Sequence, residues 1–256
     1  MTEGVSRPMV EPFARALSLL SAYTPAERWL SRQSLCERTN LPLSTTTRMV
    51  QTLTDLGYLI QEEGGRRFRL APAVLALGYA ATTNTEVQQI ATQHMPVFAD
   101  RHRLHVSLSA RDRLDMIVLE SVQGTQAPLA LNLHVGARLT IASSPVGWAL
   151  LAALPELERF YLLENVARRM PREWTRLKRR VHEAVAQMQA QGFCSSLGEW
   201  DREMGVVAAP LMVEGEAPLV LTCVGASQQM TRARVEREIG PQLLAMASNI
   251  QSGAAL

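Results

Sequence analysis

The sequence predicts an α+β fold that opens on a helix-turn-helix with a basic hairpin and continues into a larger mixed domain. Three observations carry this prediction. Residues 41–59, Leu-Pro-Leu-Ser-Thr-Thr-Thr-Arg-Met-Val-Gln-Thr-Leu-Thr-Asp-Leu-Gly-Tyr-Leu, read as a turn, a helix and a helix stop. After Gly57 the hydrophobic period changes from helical to strand-like, around a loop of glycines and arginines. Farther on, helical segments mix with the uninterrupted apolar runs 205–211 and 219–225, which suit central strands. Strands and helices do not alternate strictly, which disfavours a doubly wound sheet.

Within residues 13–23, Phe13, Ala16, Leu17, Leu20 and Tyr23 recur at helical spacing, and Thr24-Pro25 stops this first helix. Trp29-Leu30 reads as a short strand edge. A second helix spans 31–39, with Leu35 and Cys36 inward and Asn40 suited to a left-handed position at its end. Pro42 is barred from a helix interior, so Ser44 is placed to cap a third helix, which Gly57 ends in a left-handed conformation.

On a helical projection of residues 44–56, Thr46, Met49, Val50, Leu53 and Leu56 share one side. Ser44, Thr47, Arg48, Gln51 and Asp55 share the other, with Thr45 and Thr52 at the margin. The outer face carries hydroxyls, an amide and one Arg where a solvated helix would carry Glu/Lys pairs. Such short donors and acceptors reach phosphates and base edges in a major groove. The plain alternative is a surface helix rich in Thr. Strands at 58–61 and 68–70 then flank a hairpin loop whose Arg66 and Arg67 are placed to meet DNA backbone or minor groove; the plain alternative is a solvated tip.

Residues 71–82, with Val74, Leu75, Leu77 and Tyr79, read as a linker helix that packs against a partner subunit. A helix near 86–102 and strands at 106–110, 116–122 and 129–134 follow. The small-residue turn within 142–152 opens a helix whose free N–H groups favour a carboxylate or phosphate. Helices over 156–163 and 173–191 come next, the second with a solvated basic start. A strand at 192–196 and the two apolar runs lead to a last helix over 231–249. Val235, Ile239, Leu243, Met246 and Ile250 line its inner side.

At 256 residues and 47% hydrophobic, the chain suits one large or two small domains with packed cores. No apolar run approaches the roughly 20 residues of a membrane span. Residues 1–12 contain Glu3 and Glu11 and lack the apolar core of a secretory signal. Cys36, Cys194 and Cys223 are odd in number and far apart, which fits free thiols in a reducing cytoplasm. The net charge of +2 lies wholly in the first third: residues 1–80 hold nine Arg against seven acids, and the remainder balances. Lys178 is the only lysine among 26 basic residues, and Arg offers a planar fork suited to phosphate and guanine. His102 and His105 have a two-residue gap, but nothing nearby completes a zinc set. Neither a Gly-x-Ser-x-Gly turn nor a Gly-rich phosphate loop is present. Glu199, Asp201 and Glu203 read as a solvated acidic loop. Hence no catalytic residues, metal or cofactor are expected.

The runs Arg15–Leu20, Leu41–Arg48, Leu53–Leu59, Phe68–Leu70 and Leu77-Gly78 resemble the DNA-binding half of the IclR family of bacterial transcriptional regulators, and the resemblance extends over nearly the whole chain. It implies a winged helix-turn-helix domain over 1–70, a linker helix over 71–85 and a GAF-like α/β effector-binding domain over 86–256. DNA contacts are expected from Ser44, Thr45, Thr47, Arg48, Gln51, Thr52, Arg66 and Arg67. By the same resemblance, Ser143, Ser144, Pro145, Val146, Gly147 and Trp148 line an effector pocket together with Ser195, Ser196, Leu197, Val207, Thr222 and Val224. The family usually has Gly-Lys-Ala where Gly147-Trp148-Ala149 stands, and often polar or acidic groups where Leu197, Val207 and Val224 stand. A more apolar pocket is therefore expected, for a small aromatic or apolar carboxylic acid, with core packing as the alternative role of Trp148. The expected partners are operator DNA, that effector and a second copy, as a dimer or dimer of dimers, in control of a catabolic pathway. The rival reading is an enzyme built on the C-terminal α/β domain, with the N-terminal part as an interaction module.

Overall fold

A computed structural model of the chain describes residues 10–82, 86–128, 131, 133–213, 215 and 217–253. The chain divides into two compact units between Thr83 and Asn84. In the first, α1 (Glu11–Leu20), α2 (Arg32–Thr39) and α3 (Leu43–Asp55) pack beside an antiparallel sheet in the order β1 (Leu30–Ser31), β3 (Arg67–Leu70), β2 (Leu59–Gln61), and α4 (Pro72–Thr82) follows. Local chemistry sets the boundaries. The Ser31 hydroxyl accepts from Ser34 N–H at 3.1 Å and caps α2, and Asn40 ends that helix at φ 55°. Gly57 takes φ 77°, which lets Tyr58 N–H reach the Leu53 carbonyl at 2.8 Å and Gly57 N–H the Thr54 carbonyl at 3.0 Å. That pair of bonds closes α3. Leu19, Leu30, Leu35, Val50, Leu53, Leu59 and Phe68 form the core, each side chain contributing roughly 1.5–3 kcal/mol by burial.

Three expectations for this unit are corrected. Ser44 does not cap α3: the helix starts at Leu43 with Pro42 at the cap, no side chain caps it, and the Pro42 carbonyl already accepts from Thr46 N–H at 2.9 Å. The first helix ends at Leu20 rather than Tyr23, and Leu19 is its buried residue, whereas Phe13 and Leu17 are 67% and 49% exposed. Leu56, placed on the inner side of α3 by its spacing, is 64% exposed. The helical period identifies residues that share a face but not what covers them.

The second unit is a six-stranded antiparallel sheet with helices on both faces. The strand order is β6 (Arg138–Thr140), β5 (Asp115–Gln123), β4 (His105–Asp112), β9 (Leu219–Ala226), β8 (Met204–Leu211) and β7 (Cys194–Leu197). On one face Val106, Leu108, Val207, Ala209, Leu221 and Cys223 join a core with Met95 and Phe98 of α5 (Glu86–His102) and Leu243 and Ile250 of α10 (Gly240–Gln251). On the other, Met116, Cys194, Ala208 and Val220 pack with Trp148 and Leu150 of α6 (Pro145–Ala153) and with Leu177 and Val181 of α8 (Trp174–Gln191). These alternations follow the period of two along a strand. A register shift between Leu108 and Ser109 leaves Leu119 of β5 as the extra, bulged residue.

The strand expected over 129–134 falls partly on 129, 130 and 132, which lie outside the described residues. Leu131, Leu133 and His134 form no strand, and β6 begins farther on, at Arg138. The helix expected over 156–163 continues to Arg169 as α7 (Glu156–Arg169). The last helix starts as the turn α9 (Arg232–Arg234), passes through a π-helical turn at Val235–Ile239 and continues as α10. All five residues expected on its inner side are buried. No described helix is long and apolar enough to cross a membrane.

Candidate nucleic-acid interface and effector site

The exposed face of α3 carries Ser44, Thr47, Arg48, Gln51, Thr52 and Asp55, with Thr45 half-buried beside them. The helix is held from behind by Val50 and Leu53 in the core and by the buried Thr46, whose hydroxyl accepts from the Cys36 thiol of α2 at 3.3 Å. Gln51 is braced along the helix: its amide nitrogen donates to the Asp55 carboxylate at 2.8 Å. The spacing of four between Gln51 and Asp55 is the sequence signal for this contact. No side-chain partner holds Arg48 among the described residues, so its guanidinium keeps its donors for an external acceptor.

The wing differs between its two arginines. Gly64 at φ 101° and Gly65 at φ 73° turn the chain at the tip. Arg66 is exposed, with no ion pair among the described residues. Arg67 forks onto the Glu62 carboxylate, with Nε at 2.9 Å and Nη2 at 2.5 Å. Hydrogen bonding to Arg67 lowers the Glu62 pKa, and the same bond raises that of Arg67. Sequence reasoning overlooked Arg32, whose guanidinium stacks 4.8 Å over Phe68 and donates to the Gly65 carbonyl at 3.4 Å, bracing the wing against α2.

In the second unit the residues expected to line a pocket do not all converge. Ser144 caps α6 and is buried; its hydroxyl donates to the Thr140 carbonyl at 2.9 Å and accepts from Gly147 N–H at 3.3 Å. Its donor and one helix amide are thus spent internally. Trp148 is buried in the core, with its indole N–H on the Ala142 carbonyl at 2.7 Å, and it borders a cavity of about 120 Å³ together with Arg180, Glu183, Gln187, Ser195 and Glu199. Pro145, Val146 and Gly147 are buried along the same helix start, and Ser143 is half-buried.

Ser196, Thr222 and Val224 share the sheet face covered by α6, whereas Ser195, Leu197 and Val207 belong to the opposite face, toward α10. The neighbour that pairs with Val224 and shares its face is Val206, one residue earlier than the position expected. The α6 face also carries His105, Ser107 and Ser109, at every second position of β4. With Thr222 they form a patch of polar side chains, all buried. Among the described residues, His105 Nδ1, Ser109 Oγ and Thr222 Oγ1 of that patch have no partner. Burial lowers the His105 pKa, so the imidazole is neutral. Val206, Ala208 and Val224 are the apolar neighbours of these polar atoms on the same face.

The two buried thiols, Cys194 and Cys223, are pushed up to about 12 by burial, which makes them poor nucleophiles. No group of three or more metal-ligating side chains occurs among the described residues.

Residues 79–252 match the family model described as "Bacterial transcriptional regulator IclR C-terminal", and residues 13–63 match "IclR helix-turn-helix domain". The HTH-type transcriptional regulator TsaQ1/TsaQ2 of Comamonas testosteroni is 29% identical over 95% of this chain and 88% of its own length. The crystal structure of an IclR family transcriptional regulator from Brucella abortus superposes with a TM-score of 0.86 at 37% identity, covering 98% of this chain and 96% of that one. An IclR homologue from Microbacterium hydrocarbonoxydans, complexed with 4-hydroxybenzoate, shares the fold with a TM-score of 0.73 at 22% identity, covering 95% and 98%.

Proposed function

The chain belongs to the IclR family of bacterial transcriptional regulators, and on that premise we propose how its two units act. The α3 helix enters the major groove, with Arg48 and Gln51 reading base edges and Ser44, Thr45, Thr47 and Thr52 holding phosphates. Arg66 of the wing meets the flanking backbone or minor groove. The observation that carries this reading is the outer face of α3: donors and acceptors without ion-pair partners, on a helix held rigidly from behind.

Reading two half-sites requires two copies of the chain related by a two-fold axis. The surface that supports such pairing lies on the first unit. There Val10, Phe13, Leu17, Leu56 and Leu77 are exposed around a groove of about 820 Å³ that also includes Met49, Leu53 and Tyr58. Apolar surface of this extent marks an interaction site.

The effector binds the α6 face of the sheet in the second unit, over Thr222, Val224, Val206 and Ser196, and is a small, largely apolar or aromatic carboxylic acid. Support comes from the unpaired hydroxyls of Ser109 and Thr222, which can donate to a carboxylate, and from the apolar floor beside them. The 4-hydroxybenzoate bound by the homologue of like fold is an acid of this class. Such a ligand shifts operator occupancy by binding one arrangement of the protein better than another. A catabolic pathway for such an acid is the expected target of control. The test is fluorescence anisotropy of the full-length chain on DNA upstream of its own gene, with and without 4-hydroxybenzoate. Salt-sensitive binding that the acid changes supports the proposal, and binding indifferent to the acid removes this effector class.

A further inference from the structure

His105 is the first residue of β4, and its side chain lies on the α6 face of the sheet with only 3% exposure. Its neighbours define which ring nitrogen carries the proton. The Ser121 hydroxyl donates to the Leu133 carbonyl, because a carbonyl can only accept. The single hydroxyl hydrogen of Ser121 is therefore spent. Its contact with His105 Nε2, at 2.9 Å, must run the other way, from Nε2–H to the Ser121 oxygen. In a neutral imidazole that leaves Nδ1 as a bare acceptor. This acceptor is buried and has no partner among the described residues. A buried polar atom left unpaired costs free energy, and natural structures seldom leave one without a reason.

Two further unpaired atoms on the same sheet face are of the opposite kind. Ser109 lies four residues along the same strand, about 13 Å away by strand rise, and Thr222 stands opposite Ser107 between them. Ser109 Oγ and Thr222 Oγ1 are hydroxyls, able to donate to an anion. One end of the patch thus offers donors, the other offers a lone pair, and the apolar side chains of Val206 and Val224 lie alongside. A bare carboxylic acid satisfies the first end only. A ligand with a hydroxyl remote from its carboxylate satisfies both.

We infer that the effector is a hydroxylated acid whose hydroxyl donates to Nδ1 of His105 while its carboxylate accepts from Thr222 and Ser109. This rests on the effector reading above and names the feature that selects among acids. His105 is then a specificity-determining residue, and Ser121, together with the Leu133 carbonyl, positions it by fixing the tautomer. A site built around such a hydrogen bond rejects analogues that lack the hydroxyl, because its acceptor is then left unpaired.

Isothermal titration of the full-length chain with benzoate, 3-hydroxybenzoate, 4-hydroxybenzoate and 4-methoxybenzoate tests this. The expected result is that a hydroxybenzoate binds at least about tenfold tighter than benzoate or the methoxy acid. His105→Leu should shrink that preference to about twofold or less, read as the ratio of hydroxybenzoate to benzoate affinity in the same variant. Equal binding of benzoate and both hydroxybenzoates by the wild type overturns the inference and leaves the acid reading intact. An unchanged preference in His105→Leu does the same. No binding of any acid removes both. Imidazole nitrogen NMR on the wild-type protein keeps the test open if His105→Leu does not fold. The Nε2–H tautomer should be present in the free protein, and the Nδ1 resonance should move when the tighter hydroxybenzoate is added. An Nδ1–H tautomer, or an unmoved Nδ1 resonance at saturation, contradicts the inference.

Discussion

The wing offers a prediction whose magnitude can be worked through in advance. Arg66 is exposed and has no ion pair among the described residues, whereas Arg67 is neutralised by the fork to Glu62. Each phosphate contact adds about −0.9 to the slope of log affinity against log salt. Arg66→Ala should therefore flatten the slope by about 0.9, so that a roughly fivefold rise in salt costs about fourfold less affinity than in the wild type. Arg67→Ala should flatten it less, because Glu62 already occupies that guanidinium. Glu62→Gln should steepen it, by up to about 0.9, as Arg67 is released toward the DNA. The double arginine variant should lose about one to two phosphate equivalents. Fluorescence anisotropy with a labelled operator, over potassium chloride concentrations spanning that range, reads all four slopes. If the double variant keeps the wild-type slope, the hairpin does not touch DNA. If Arg67→Ala equals Arg66→Ala and Glu62→Gln is silent, the ion pair has no part in setting the contact.

The remaining predictions concern packing and chemistry. If the proposed pairing uses the groove on the first unit, Leu17→Glu, at 49% exposure on α1, should leave the fold intact but lower the sedimenting mass to that of one chain, with loss of operator binding; an unchanged mass places any interface elsewhere. Gly147→Ala should lower the unfolding free energy by about 1–3 kcal/mol or more, read from chemical denaturation, because a Cβ there would overlap the Ile141 backbone, which cannot move aside as a side chain could. Cys194 and Cys223 should resist iodoacetamide in the native protein up to pH 9 and react only on unfolding, since burial holds their thiols protonated to about pH 12; rapid native labelling of either, seen by mass spectrometry, contradicts their environment. The same shifts imply that the stability these thiols contribute is complete below their ordinary pKa and declines as pH rises toward 12.

The parts of the fold written in local chemistry were legible from the sequence. Asn40 and Gly57 occupy left-handed positions that few other residues take, so the C-terminal ends of both helices of the helix-turn-helix could be placed. The apolar runs of β8 and β9 marked central strands because both faces of the sheet are covered. What depended on which surface meets which was less legible. Phe13 and Leu17 share a face of α1, but the face turned to the core is that of Leu19. Along β8 the period of two distinguishes Val206 from Val207, yet it cannot say which of them faces α6. The alternation His105-Val-Ser107-Leu-Ser109 was present in the sequence as polar residues at every second position. Only the pairing of β4 with β9 reveals that this polar row lies buried beside Thr222.

Selection of bound sequences from a random duplex pool, with the wild type and Gln51→Ala in parallel, shows whether α3 reads DNA. The wild type should enrich a two-fold symmetric site. In Gln51→Ala, one position in each half-site should relax, at a cost of about 1–3 kcal/mol for the preferred base pair, with the rest of the site retained. An identical enriched site for both proteins, or no enrichment by the wild type, would contradict the assignment of α3 as the helix that reads DNA.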